Sequence, residues 1–105
     1  PHTIPAATEA AGYRITMEAV NNVIKHAQAR HCWVKLVFVT QPSRLQITIE
    51  DDGIGIPQPV TPNVGLRSMR ERAEELGGTF KMRPRPEGGT FICVTIPIPE
   101  ESKPS

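Results

Sequence analysis

Residues 45–57 read LQITIEDDGIGIP, and the division of this stretch between strand and turn decides the reading of the whole chain. Apolar and polar residues alternate from Leu45 to Asp51. A strand that turns Leu45, Ile47 and Ile49 toward a core therefore turns Asp51 the same way. A carboxylate aimed into a core needs hydrogen-bond donors. Gly53 and Gly55 follow at once, and the missing side chains let a flat group lie against the backbone. An amino group on an aromatic base meets both conditions. An Asp51 that caps the turn and bonds its own backbone is the simpler reading of this segment taken alone.

The familiar glycine loops do not fit. A dinucleotide fingerprint needs a third glycine where Gln58 stands, and Pro57 blocks the immediate helix start. A calcium loop of the EF-hand type with Gly53 at its sixth position has Thr48 first and Pro59 twelfth, neither of which supplies a carboxylate. No G-x-x-x-x-G-K-[ST] occurs, which removes the Walker-type phosphate loop.

Working outward, residues 33–39 (WVKLVFV) read as a strand joined to 45–51 through QPSR, an antiparallel hairpin. Residues 6 to about 29 have a helical rhythm in Tyr13, Met17, Val20, Ile24 and Ala27, the predicted apolar stripe, and Pro5 suits the first turn. A proline-punctuated loop over 57–64 leads to a second amphipathic helix marked by Leu66, Met69, Ala73 and Leu76 and ended by Gly77 and Gly78. Residues 79–83 and 90–98 read as two more strands. This order predicts an α/β sandwich, with helices on one face of a small, largely antiparallel mixed sheet.

With 105 residues, the chain has room for one domain and one modest core. A formal charge of +1 points to neither nucleic acid nor membrane. No apolar run is long enough to span a bilayer, and no signal-peptide pattern opens the chain. Cys32 and Cys93 are read as core thiols of a reducing, cytoplasmic compartment, and no structural metal is expected from His26, His31 and Cys32. The opening PHTIP, without methionine, and the polar tail over 99–105 read as a domain, residues 1–98, cut from something longer.

On the first helix, Glu18, Asn22 and Lys25 fall within about 60° of each other, opposite the predicted stripe, with His26 on the flank beside Ile15 and Ala19. A solvated polar face is the ordinary reading of such a set. Glu18 and Asn22 nevertheless present oxygens one turn apart, as a hard cation such as magnesium accepts, and Lys25 follows one turn on, where a phosphate needs a positive charge.

Taken in order, YRITMEAVNNVIKHA (13–27), DDGIG (51–55), GLRSMRERAEELGG (65–78) and EGGTF (87–91) resemble the characteristic boxes of the ATP-binding catalytic domain of sensor histidine kinases. Its superfamily includes DNA gyrase, mismatch-repair ATPases and a heat-shock chaperone. The blocks stand in the family's order and at its rough spacing, so that the resemblance extends over nearly all of residues 13–96. The wording E-x-x-x-N-x-x-K-H-A is most similar to the nitrate-sensor and membrane-fluidity-sensor subfamily. Each block alone is weak, and the set of four is specific.

The resemblance implies that Asp51 accepts a hydrogen bond from the adenine amino group, and that Asp52, on the other face, is not its equivalent. Gly53 and Gly55 then allow close approach, and Thr90 helps hold the adenine edge through water. Asn22 is implied to coordinate magnesium directly, Glu18 to do so directly or through water, and Lys25 and His26 to contact phosphate. Gly65 and Leu66 open the second helix, whose N-terminal amides suit phosphate oxygens. The lid corresponds to 56–64, and Arg67 and Arg70 read equally as a solvated face or as phosphate or partner contacts. Two features depart from the family pattern: Asn63 replaces a usual glycine, and PHTIP is too short to hold the strand with which the family domain normally starts, a strand either missing or cut off.

The implied activity is ATP- and magnesium-dependent phosphorylation of a histidine on a separate dimerisation domain, with a response regulator downstream. The isolated domain is expected to be monomeric, to bind no nucleic acid and to turn over little. A serine-kinase anti-sigma factor of the same superfamily and a catalytically silent interaction module are the alternatives.

Overall fold

The computed structural model describes residues 4–27, 29–40, 42–53 and 64–98. Pro5, extended at φ −56° and ψ 144°, precedes helix α1 (Ala6–Asn22), and its carbonyl accepts the first helical hydrogen bond from the Glu9 amide at 3.0 Å. The helix does not continue uniformly to residue 29. It widens into a π-helical turn over Val23–Ala27 that carries Lys25 and the backbone of His26.

Strands β1 (Cys32–Val39) and β2 (Arg44–Asp51) form the expected hairpin. Helix α2 (Val64–Glu75), β3 (Thr79–Pro84) and β4 (Thr90–Pro97) complete the described elements. The sheet order is β1-β2-β4-β3, and each pairing is antiparallel; among the described residues the sheet has no parallel pair, so the expected mixed character is not seen there.

Helix α2 stops where its glycines allow. Gly77 has a φ of 78°, the Gly78 amide donates to the Ala73 carbonyl at 2.8 Å and the Gly77 amide to Glu74 at 2.9 Å, a Schellman close. At Gly78 a Cβ would stand 2.1 Å from the Thr95 carbonyl oxygen, so the chain can pass this close to β4 only without a side chain.

The core lies between one face of the sheet and the helices. β2 supplies Leu45, Ile47 and Ile49, β4 supplies Ile92, Val94 and Ile96, and β3 supplies Phe80. Met69 and Ala73 of α2 face them as predicted, with Leu76 packed at the margin. Each large side chain buried here contributes on the order of 2 kcal/mol.

The predicted apolar stripe of α1 is corrected by the structure. Tyr13 is 67% and Ile24 74% exposed, and Met17 is exposed as well. The buried face is Thr8, Ala11, Gly12, Ile15 and Ala19. The helix lies close to the sheet here, since a Cβ on Gly12 would stand in van der Waals contact with Ile47 Cδ1 at 3.4 Å and Leu45 Cδ2 at 3.5 Å. The bulkiest apolar residues sit on the opposite side of the helix, where the sheet is not.

The cysteines are also corrected. Both are free; Cys32 is exposed at the start of edge strand β1, and Cys93 lies opposite Thr48 on the face of the sheet away from the helices. The tail over 99–105, Gly55 and the lid residues 56–63 lie outside the described residues.

Candidate functional site

Strand β2 alternates without a break, so that Leu45, Ile47, Ile49 and Asp51 are buried while Arg44, Gln46, Thr48 and Glu50 are not. Asp51 is 4% exposed. Its Cα partners are Cys32 on β1 and Thr90 on β4, and Thr90 in turn faces Pro84 on β3. Directly paired residues share a face. Cys32, Asp51, Thr90 and Pro84 therefore form one row across the helix-side face of the sheet, at its DDG end.

The backbone folds back under this carboxylate. The Gly53 amide donates to Asp51 Oδ1 at 2.8 Å, the local bond that the turn-capping reading called for. One oxygen thus orients the group. The bond does not exclude a base-recognition role, because a carboxylate has further acceptor sites.

Asp52 is turned the other way. Its Oδ1 accepts the Arg30 and His31 amides, both at 2.8 Å, and its Oδ2 lies 2.8 Å from His31 Nδ1. The bond from the His31 amide, followed by that from its ring, holds the Asp52 carboxyl down to about 2. Asp52 ties the start of β1 to the end of β2.

The remaining candidates lie on the helices. Glu18 and Asn22 are half-buried on α1, bordering the buried Ile15 and Ala19 rather than standing opposite the core. That placement follows from the corrected helix face. Lys25 is exposed in the π-helical turn. Such turns are over-represented at functional sites because one extra residue per turn re-aims the side chains around it. Gly65 and Leu66 fall in the first turn of α2, and α2 packs on α1. Gly53 and Thr90 flank Asp51 along the chain and across the ladder.

The opposite face of the sheet holds a network that sequence reasoning missed. Trp33, Glu50, Phe91 and Arg83 form the outward-facing row adjacent to Asp51. The His31 ring stacks on Trp33 at 5.6 Å, Arg85 lies over Trp33 at 5.0 Å, and Arg83 lies over Phe91 at 4.6 Å. Trp33, Lys35, Thr48, Glu50 and Arg85 border a shallow hollow of about 330 Å³. Arg85, in a turn between prolines, belongs to no periodic pattern, which is why no signal in the sequence marked it.

With this geometry in place, comparison with known proteins is direct. Residues 8–100 match the histidine kinase-, DNA gyrase B- and HSP90-like ATPase family. Sensor protein VraS of Staphylococcus epidermidis is 35% identical over 104 residues, covering 97% of this chain and 29% of the relative. The nitrate/nitrite sensor protein NarX of Escherichia coli is 32% identical over 104 residues, 97% of this chain and 17% of the relative. The chain thus spans less than a third of the length of these curated relatives. Among solved structures, the blue-light activated histidine kinase EL346 of Erythrobacter litoralis superposes with a TM-score of 0.78 at 25% identity, covering 90% of this chain and 32% of that one. The extent of the family match, together with the fold and the order of the boxes, establishes that this chain belongs to the histidine kinase-, DNA gyrase B- and HSP90-like ATPase family.

Proposed function

We propose that this domain binds ATP with its adenine amino group on Asp51, and that within a longer sensor histidine kinase it delivers the γ-phosphoryl group to a histidine on a separate dimerisation domain. A response regulator then receives the phosphoryl group. The observation that carries the reading is the buried carboxylate of Asp51 at the mouth of the glycine turn, on the helix side of the sheet and beside Thr90.

The parts have distinct tasks. Asp51 and Gly53 bind and orient the base, and Gly55, without a side chain, allows its close approach. Thr90 supports the adenine edge from the neighbouring strand. The first-turn amides of α2, at Gly65 and Leu66, face phosphate oxygens with the positive end of the helix dipole. Lys25 adds positive charge at the phosphates, and His26 contacts phosphate beside it.

Asn22 and Glu18 offer two oxygen donors one helical turn apart on a half-buried face, a donor set that fits a hard divalent cation. A magnesium ion held there supplies charge neutralisation at the phosphates. In the transfer itself, a bond forms between the acceptor imidazole nitrogen and the γ-phosphorus as the bond to the β,γ-bridging oxygen breaks, and ADP leaves. The transition state is loose, so positioning and electrostatics are the main contributions required of this domain.

Calorimetric titration of a non-hydrolysable ATP analogue, with and without magnesium, tests the reading. Magnesium-assisted binding is expected, and Asp51→Asn should weaken it by about tenfold or more, since a hydrogen bond to a charged group is worth roughly 1.5–3 kcal/mol. A folded wild type that binds no nucleotide, or an Asp51→Asn variant that binds like wild type, refutes it.

A further inference from the structure

We propose that Arg85, on the face of the sheet away from the helices, is a positioning residue for Asp51 and thereby sets the preference for a base bearing an amino group. The proposal rests on the nucleotide reading above. Arg85 Nη1 donates to the main-chain carbonyl of Asp51 at 2.9 Å. That carbonyl stands where β2 ends and the ladder on either side gives way to turn.

The guanidinium is itself fixed on several sides. Its Nη2 donates to Glu87 Oε2 at 2.9 Å, and its Nε lies 3.4 Å from Glu50 Oε1, a charge contact without a hydrogen bond of its own. The Trp33 ring lies beneath it, and the side chain is only 15% exposed. Its main chain is held too, because the Arg85 amide donates to the Gly89 carbonyl and the Gly88 amide donates to the Arg85 carbonyl, both at 3.0 Å. Gly89 is pressed so closely on Asp51 that a Cβ there would stand 1.8 Å from the Asp51 carbonyl oxygen. The β3–β4 turn thus grips one peptide, the one joining Asp51 to Asp52.

This peptide controls the carboxylate. Rotating it moves the Gly53 amide, which is bonded to Asp51 Oδ1, so a displaced carbonyl re-aims the acid. A hydrogen bond that selects an amino group depends on such aim, because interactions weaken steeply away from linear geometry. Arginine suits the task, since its rigid planar fork holds several partners in one orientation, which a lysine ammonium cannot do. Arg85 touches no base; it acts through the backbone.

The test compares two probes: a non-hydrolysable ATP analogue and the matching purine analogue lacking the 6-amino group. Their affinities are measured on the wild-type chain, Arg85→Lys, Glu87→Gln and Asp51→Asn. The wild type is expected to prefer the amino-bearing probe by about tenfold. Arg85→Lys should bring that ratio close to that of Asp51→Asn, and Glu87→Gln, which removes a single anchor, should give an intermediate ratio. The ratio is independent of the fraction of protein that is folded, so a merely structural role for Arg85 leaves it unchanged. Fluorescence of Trp33, the only tryptophan of the chain, reports whether the turn remains docked. If Arg85→Lys does not fold, the Glu87→Gln ratio decides alone. A wild-type ratio retained in the folded variants overturns the role of Arg85 and leaves the Asp51 reading standing. A wild type without preference, unaffected by Asp51→Asn, removes the Asp51 reading and this proposal with it.

Discussion

Asp51 and Asp52 are adjacent in sequence, identical in chemistry and opposite in situation. Asp51 closes the buried row of β2, with the Gly53 amide on one oxygen. Asp52 faces outward and uses both oxygens on Arg30 and His31. One residue of offset in a strand moves a side chain from the core to solvent, and here it separates the proposed recognition group from a group that ties two strand ends together. The difference teaches that the two faces of this sheet do different work at the same place. On the proposed reading, the helix side presents the recognition group and the outer side holds its backbone still.

The strongest way to break this arrangement is to push on the peptide that both aspartates share. Gly88 and Gly89 both have positive φ, 106° and 97°, but a Cβ on Gly88 meets open space whereas one on Gly89 collides with the Asp51 backbone. Gly89→Ala is expected to destabilise the fold by about 3 kcal/mol or more, and Gly88→Ala by about 1 kcal/mol from backbone strain alone. Denaturant midpoints of the two variants check this. Equal losses would mean that contact with Asp51 is not what Gly89 provides.

Next in size is the functional contrast between the neighbours. Asp51→Asn should cost about tenfold or more in affinity for the ATP analogue, whereas Asp52→Asn should stay within about threefold of wild type. Titrating both variants separates recognition from support. Comparable losses would put both carboxylates in the binding event and erase the division between the two faces.

Acid sharpens the same contrast through stability. The Asp52 carboxyl, ordinarily near 3.8, is held at about 2 in the folded protein by the His31 amide and ring. A depressed folded-state value contributes stability above the unfolded value that is lost as the pH falls from about 3.8 toward about 2. Asp52→Asn should therefore flatten the fall of the melting temperature across that window. An unchanged slope would show that the tie to His31 does not survive in solution.

How much of this was legible in the sequence depends on the period of each signal. The alternation of LQITIED placed Asp51 on the buried side, because a period of two arises from a strand with one buried face. Gly77–Gly78 marked the end of α2, because a helix turns back most easily at a residue free to take positive φ. Helix α1 misled because it carries two stripes with helical spacing on opposite sides. Hydropathy favours Tyr13, Met17 and Ile24, whereas close approach to the sheet selects Ala11, Gly12, Ile15 and Ala19. Apart from Ile15, the face set against the sheet is built from small residues, which hydropathy does not single out. The outer network of His31, Asp52, Trp33 and Arg85 was invisible for another reason: its bonds join residues 21 to 34 positions apart, and no local pattern encodes them. Glu18 and Asn22 were found by residue type rather than position, and the structure moves them from opposite the core to its border.

The smallest expected effect probes the comparison without any nucleotide. Cys32 is the cross-strand partner of Asp51 and shares its face. Partial desolvation first, and then the Asp51 charge, push the thiol of the largely exposed Cys32 above its ordinary value. Since the thiolate is the reactive form, removing that charge in Asp51→Asn should speed alkylation of Cys32 at neutral pH by about twofold. Asp52→Asn, which alters the outer face, should leave the rate close to wild type. Mass spectrometry of the modified peptide distinguishes Cys32 from Cys93, which lies on the other face of the sheet and serves as the internal control. Equal acceleration in both variants would mean that the two carboxylates share one electrostatic environment. Acceleration in Asp51→Asn alone would show the sheet keeping the charges of adjacent residues apart, as separate recognition and support require.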